Sequence, residues 1–225
     1  FGIETNEYAQ ELAQMTIQIG YIQWLRDNGY GHPTEPILKK TKNIVRMDAI
    51  LSLPETRPDR SQQDTERIGD SRGDLSGLSV SEPEWPAVDV IIGNPPFLGG
   101  NRIRAELGNE YVDVLFKLYS GRIPATADLV CYWFEKACAM IKEGKAKRAG
   151  LLATNSIRGG ANRKVLERIK ETGDIFWAQS DRDWILDGAA VNVSMVGFDD
   201  GTEKSRSLDN YSVNQINPDL TATTN

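Results

Sequence analysis

Asp89-Val-Ile-Ile-Gly-Asn-Pro-Pro-Phe-Leu-Gly-Gly100 is the stretch that decides the fold. Residues 89–92 are a short β-branched run between Pro86 and Gly93, the pattern of a buried strand in a parallel sheet. The strand runs into a rigid turn. Pro95 and Pro96 each fix φ and lack an N–H, which holds Asn94 and the neighbouring carbonyls at the carboxyl edge of the sheet. Open α/β sheets bind their ligands at that edge. An amide side chain, a free carbonyl and the ring of Phe97 suit a flat group carrying an NH2, with two acceptors for its protons and one face for stacking. The same residues also suit a plain strand-ending turn whose Phe fills the core, so the context has to decide between the two.

Composition sets outer bounds. A chain of 225 residues, 40% hydrophobic and 26% charged, is expected to be globular and large enough for one sizeable domain. It has no apolar run long enough to cross a membrane and no signal peptide, so a cytoplasmic location without a membrane partner is expected. Cys131 and Cys138 lie seven residues apart in a predicted helix, roughly 10 Å along its axis, too far for a disulfide. They read as reduced core residues. The one histidine, His32, adjoins a proline in a loop. Neither a metal centre nor Ser-His-Asp catalysis is expected.

A net charge of −6 argues against nucleic acid, but its distribution does not. Residues 142–170 hold nine Lys or Arg against two Glu, a local surplus of seven positive charges that leaves −13 elsewhere. Such a stretch binds phosphate even in an acidic chain, or else is a solvated helix face and loop.

Along the chain, residues 1–4 read as a strand ending in Glu4, with Thr5 or Asn6 to cap a helix that runs to about Asn28 and closes at Gly29. Tyr8, Leu12, Met15, Ile19 and Ile22 form its apolar stripe. Residues 43–47 are a second strand ending in an acid, Asp48. Carboxylates at strand ends accept hydrogen bonds from ribose hydroxyls in nucleotide-binding sheets, and equally serve as helix caps. Residues 54–87 hold eight acids and four arginines with no helical or strand period, and are expected to be a mobile insertion.

Beyond the turn, residues 104–119 are weakly helical. Residues 128–141 are a firm helix, with Leu129, Tyr132, Trp133, Ala137 and Met140 directed inward. A strand at 149–153 leads into the polar loop Thr154-Asn-Ser-Ile-Arg-Gly-Gly160, on the same sheet edge as Asn94. A helix at 161–171 and strands near 175–179 and 191–198 follow. Alternating strands and helices predict a doubly wound α/β domain.

The order of acid-ended strand, second acid-ended strand and Asn-Pro-Pro-Phe resembles the S-adenosylmethionine-dependent amino-methyltransferases. The wider wording is Asn94-Pro-Pro-Phe-Leu-Gly-Gly, Ala127-Asp-Leu-Val-Cys-Tyr-Trp-Phe-Glu, Thr154-Asn-Ser-Ile-Arg-Gly-Gly and Asp187-Gly-Ala-Ala-Val-Asn-Val-Ser-Met-Val. It is similar to the adenine-N6 DNA methyltransferase region of bifunctional Type II (IIG/IIL-like) restriction-modification enzymes, over residue 1 to about 200. That resemblance implies a Rossmann-like methyltransferase fold over residues 1–200, with residues 201–225 a linker or the start of a target-recognition region. Glu4, Asp48 and Ala49 would hold S-adenosylmethionine. Asn94 and the Pro95 carbonyl would accept the target amine's protons, with Pro96 stiffening the turn and Phe97 stacking on the base. Asn155, Arg158, Arg163, Lys164 and Trp184 would meet double-stranded DNA, with Leu186 a second candidate for the base-stacking place of Trp184.

The family carries a Gly-rich cofactor loop about 20 residues before the ribose acid. With Glu4 near the start, the first strand and that loop are expected upstream, as is a nuclease domain, and the segment alone is expected to be inactive. A protein glutamine N5-methyltransferase is the alternative enzyme, since a side-chain amide offers the same NH2. An inactive DNA-binding or specificity fragment is the alternative outside enzymes.

Overall fold

A computed structural model describes residues 1–31, 43–52, 80–186 and 189–222. His32 and most of the acidic insertion, residues 53–79, lie outside the described residues, as do Asp187 and Gly188. The chain divides into two compact units, one of residues 1–52 with 81–85, the other of 53–80 with 86–225.

In the first unit, β1 (Gly2–Glu4) and β2 (Ile44–Arg46) pair in parallel, with Glu4 opposite Arg46. Between them runs α1 (Glu7–Asp27), whose start and stop follow the sequence signals. Asn6 caps it, its Oδ1 accepting the Ala9 N–H at 3.0 Å, and Gly29 closes it at φ +80°. The helix is tied to β2 by polar bonds: Gln10 Nε2 donates to Ile44 O at 2.6 Å, and Arg46 pairs with Glu7 at 2.8 Å. The predicted apolar stripe is not its covered face, since Tyr8, Leu12, Met15 and Ile19 are exposed. Residues 81–85 return to this unit, where Ser81 bridges Ser52 and Trp85 Nε1 donates to Ala49 O at 2.9 Å.

The second unit is a six-stranded sheet in the order β3-β4-β6-β5-β7-β8. Its strands are β3 (Val90–Gly93), β4 (Arg148–Thr154), β5 (Asp174–Leu186), β6 (Ala189–Asp199), β7 (Ser207–Leu208) and β8 (Tyr211–Ser212). β3 and β4 are parallel, as predicted. The predicted burial of β3 is not found. Val90 is 47% and Ile92 83% exposed, because their side chains share a face of β3 that the described residues leave uncovered; β3 is also an edge strand whose ladder bonds run to β4 alone among the described residues. The simple doubly wound pattern is also broken. β5 and β6 are a long antiparallel hairpin, and β6 lies between β4 and β5, antiparallel to both. The strand predicted near 175–179 is the first part of β5, and the one predicted at 191–198 is most of β6.

Four α-helices and a 3-10 turn complete the described second unit. The single predicted helix at 104–119 is two, α2 (Ile103–Leu107) and α3 (Asn109–Leu118), broken at Gly108, whose φ of +83° a side chain would strain. α4 (Cys131–Lys142) buries Tyr132, Phe134, Ala137 and Met140. Phe134 takes the inward place expected of Trp133 and stacks on Phe198 of β6 at 5.9 Å, while Tyr132 meets Tyr119 edge-on at 4.9 Å. α5 (Arg163–Thr172) buries Val165, Leu166 and Ile169. Cys131 is buried and both cysteines are free. None of the described helices is long and apolar enough to cross a membrane.

The polar tail carries a fold signal that composition hides. β7 and β8 extend the sheet through an Asp209-Asn210 turn with both residues at positive φ, and Leu208, Ile216 and Leu220 are buried. Asp209 takes the Ser180 N–H and hydroxyl, each at 2.7 Å, at an irregularity in β5. Asp174, at the start of β5, pairs with Lys170 of α5 and Arg206 of the tail. Burial pushes the Asp174 carboxyl up, but its bonds to Lys170 and Arg206 outweigh this and hold it below the usual carboxylate value.

Replacing Asp174 with Asn leaves two half-buried cations without their carboxylate, and is expected to cost about 1–3 kcal/mol at neutral pH in urea unfolding. Because the folded-state pKa is depressed, the wild-type advantage is present above about pH 4 and vanishes as pH falls through the lower folded value. A difference that stays constant down to pH 2 would contradict this assignment.

Candidate functional site

The parallel register of β3 and β4 sets Gly93 opposite Leu151, so residues 94–100 and 154–162 leave the same carboxyl edge of one sheet. Asn94 is exposed, Pro95 buried and Phe97 half-buried. The turn's own bond uses the second proline: the Leu98 N–H donates to Pro96 O at 3.1 Å. The Pro95 carbonyl makes no hydrogen bond among the described residues. The far end of the turn is held just as firmly. Leu129 N–H donates to Leu98 O at 2.9 Å, and the Gly100 N–H donates to Asp128 Oδ1 at 2.8 Å. Gly100 lies so close to residues 126–127 that a Cβ there would stand 2.3 Å from Thr126 O, so only glycine fits.

Asp128 also joins this turn to the second loop. Its Oδ2 accepts the Ser156 hydroxyl and the Asn162 Nδ2, both at 2.7 Å, while its own N–H donates to Asn162 Oδ1 at 2.7 Å. Thr154 Oγ1 and Ser156 Oγ share a further bond at 2.6 Å. Neither Asp128 nor Asn162 stands out in the sequence as a site residue. The available signal was an acid just before an apolar run, which resembles an ordinary helix cap.

The predicted DNA-facing residues gather partly on this edge. Asn155 and Arg158 lie in a 3-10 turn (Asn155–Arg158), and Arg163 and Lys164 open α5. Asn155, Arg158 and Arg163 line an open cavity of about 450 Å³ together with Asp219 and Thr221 of the tail. Arg158 Nε donates to Asp219 O at 3.0 Å. Trp184 pairs with Val191, two residues past the Thr154–Val193 pair, so it too projects beyond the end of β4, 37% exposed. The basic stretch is less free than its charge suggests. Arg163 and Lys164 both pair with Glu167, Arg168 with Glu135, Lys170 with Asp174, Lys145 with Glu143 and Lys147 with Asp89. Most of its positive charge is therefore locally balanced.

Glu4, Asp48 and Ala49 belong to the first unit, at the carboxyl edge of its two parallel strands. Glu4 Oε1 accepts the Thr5 and Asn6 N–H groups at 2.8 and 2.9 Å, and Asp48 Oδ1 accepts those of Ile50 and Leu51 at 2.8 and 3.1 Å. Backbone donors thus hold both carboxylates in place at the strand ends.

The family model described as "MmeI, DNA-methyltransferase domain" matches residues 1–210. The chain belongs to this family. It is 23% identical over 211 residues to DNA methyltransferase A of Bacillus subtilis, covering 88% of this chain and 20% of that protein. Among solved structures it is similar to the Type IIL restriction-modification enzyme MmeI, determined in complex with DNA, with a TM-score of 0.50 and 23% identity over 60% of this chain and 20% of the other. The chain therefore spans about a fifth of each relative. The mixed α/β architecture is that of a methyltransferase domain of this family. Within the MmeI-type domain, the Asn94 turn and the 154–162 loop are the elements that the sheet brings to one edge.

Gly100→Ala is expected to destabilise by about 1–3 kcal/mol, since an added methyl forces backbone out of a close contact. Urea unfolding measures it. A cost under about 0.3 kcal/mol would mean that the strap yields freely.

Proposed function

We propose that the protein containing this domain methylates N6 of an adenine flipped out of double-stranded DNA, with S-adenosylmethionine as donor, as part of a restriction-modification system. The observation that carries this reading is the turn itself: an exposed Asn94, the Pro95 carbonyl not used by the turn, and the half-buried ring of Phe97. Membership of the MmeI methyltransferase family supports DNA rather than a protein glutamine as substrate.

Asn94 Oδ1 and the Pro95 carbonyl accept the two protons of the exocyclic amine, which favours a tetrahedral nitrogen whose lone pair is free to attack. Phe97 stacks on the base and repays part of the few kcal/mol that flipping costs. Pro95 and Pro96 keep both acceptors in place, so little is lost in ordering them at the moment of reaction. The strand-end carboxylates of Glu4 and Asp48 suit the hydroxyl and amine donors of the nucleoside part of S-adenosylmethionine, with Ala49 beside them. When bound, that cofactor supplies a methyl group already activated on a sulfonium. Arg158, Arg163, Lys164 and Asn155 contact the DNA backbone, and Trp184 lies near the displaced base. Two free cysteines, one buried, agree with a reducing cytoplasm. Target-recognition and nuclease domains belong elsewhere in the same protein, and residues 1–200 form the catalytic core.

In the full-length protein, Asn94→Ala is expected to lower methylation by about 10²–10³-fold, the loss typical of one oriented polar group, and to leave cofactor affinity within about threefold. Mass spectrometry of digested DNA reads the N6-methyladenine; substantial product from the variant, or methyl on another atom, would refute the assignment. Removing charge at Arg158 and Arg163 is expected to weaken DNA binding and to flatten its dependence on salt by about one to two units of slope. An unchanged slope would return these arginines, already bonded to Asp219 and Glu167, to a structural role.

A further inference from the structure

Residues 94–100 form a short, stiff segment held at both ends. One end is β3. The other is the contact of Gly100 with Asp128, doubled by the Leu129 bond to Leu98. Two prolines leave little slack between the ends, so a shift of Gly100 is passed back to Asn94 rather than absorbed. Asp128 uses both oxygens for this: Oδ1 holds the first loop through Gly100, and Oδ2 holds the second through Ser156 and Asn162. Asn162 is buried and answers with a reciprocal bond to the Asp128 N–H. A carboxylate suits this point because all three side-chain partners are donors. The hydrophobic anchoring of α4 lies elsewhere, in Tyr132, Phe134, Ala137 and Met140.

We infer that Asp128 is a positioning residue for methyl transfer: it locks the Asn94 turn against residues 154–162, so that the acceptors of the target amine have one fixed geometry. The inference rests on the reading of that turn as the amine-binding element. It adds a residue that touches neither substrate nor cofactor and acts through Gly100. Misplacement by about 1 Å at a reacting centre costs about 10²-fold in rate. Asp128→Asn replaces one acceptor with an NH2 that faces the Asn162 NH2, donor against donor, and so loosens the lock without removing volume.

The test uses the full-length protein. In single-turnover methylation at saturating DNA and S-adenosylmethionine, Asp128→Asn is expected to slow the reaction about 10–100-fold while the dissociation constants of both stay within about threefold. Amide exchange is expected to quicken at residues 98–100 and to stay unchanged in β4. Combining Asp128→Asn with Asn162→Asp restores an acceptor opposite the new NH2 and is expected to recover most of the rate. The inference is overturned by a saturated rate within about twofold of wild type, by a loss confined to DNA affinity, by exchange that quickens across β4 as well, or by a double variant no better than the single one. Asn94→Ala, measured alongside, separates the two ideas. If it retains activity, the functional reading fails; if it is inactive while Asp128→Asn is not, only the role of Asp128 fails.

Discussion

Four residue pairs between β3 and β4 carry the organisation of the second unit. A parallel ladder points both strands the same way, so whatever follows each strand must emerge at the same edge. Here one strand is followed by Asn94-Pro-Pro-Phe and the other by Thr154-Asn-Ser. β6 then pairs along the full length of β4 and brings the end of the hairpin, with Trp184, to that edge as well. Three segments far apart in the chain therefore meet because one strand is bonded to both its neighbours, and the polar network around Asp128 refines an arrangement that the backbone has already imposed.

The second constraint is electrostatic. The stretch 142–170 has a large local excess of positive charge, yet acids from outside it answer most of it: Glu135 from α4, Asp174 at the head of β5, Asp89 at the start of β3 and Glu203 in the tail. Glu135 is itself buried and takes two bonds from Arg168, at 2.9 and 3.1 Å. Such pairs contribute to the docking of helix and tail rather than to a surface field. Arg158 differs, being held by a backbone carbonyl in the lining of an open cavity.

What the sequence made legible followed from local rules. Asn6 and Gly29 mark the ends of α1 because capping needs only neighbouring residues, and the Asn94 turn is readable because proline fixes φ wherever it stands. Pairing partners were not legible. Nothing local in Val191-Asn-Val-Ser-Met-Val says that it enters between β4 and β5, and nothing in Val90-Ile-Ile says that one side stays uncovered. A count over residues 142–170 likewise cannot show that Glu135, Asp174, Asp89 and Glu203, from elsewhere in the chain, pair with its cations. Asp128 was invisible as a lock because its three side-chain partners stand 28 and 34 residues away. In the tail, two buried aliphatics, Ile216 and Leu220, outweigh a polar composition.

The place of β6 in the sheet sets an order on assembly. Chain order is β4, β5, β6, while sheet order is β4, β6, β5, so the inner edge of β4 has no strand to bond until residues 189–199 have left the ribosome. Until then β5 has no antiparallel neighbour, and α4 lacks the Phe198 ring against which Phe134 stacks. Contacts of long sequence separation close slowly and leave strand edges open to wrong partners while they wait. A nascent chain halted before residue 189 would thus hold all the described helices but only the β3–β4 pair of this sheet, and residues 189–199 then join that pair to β5.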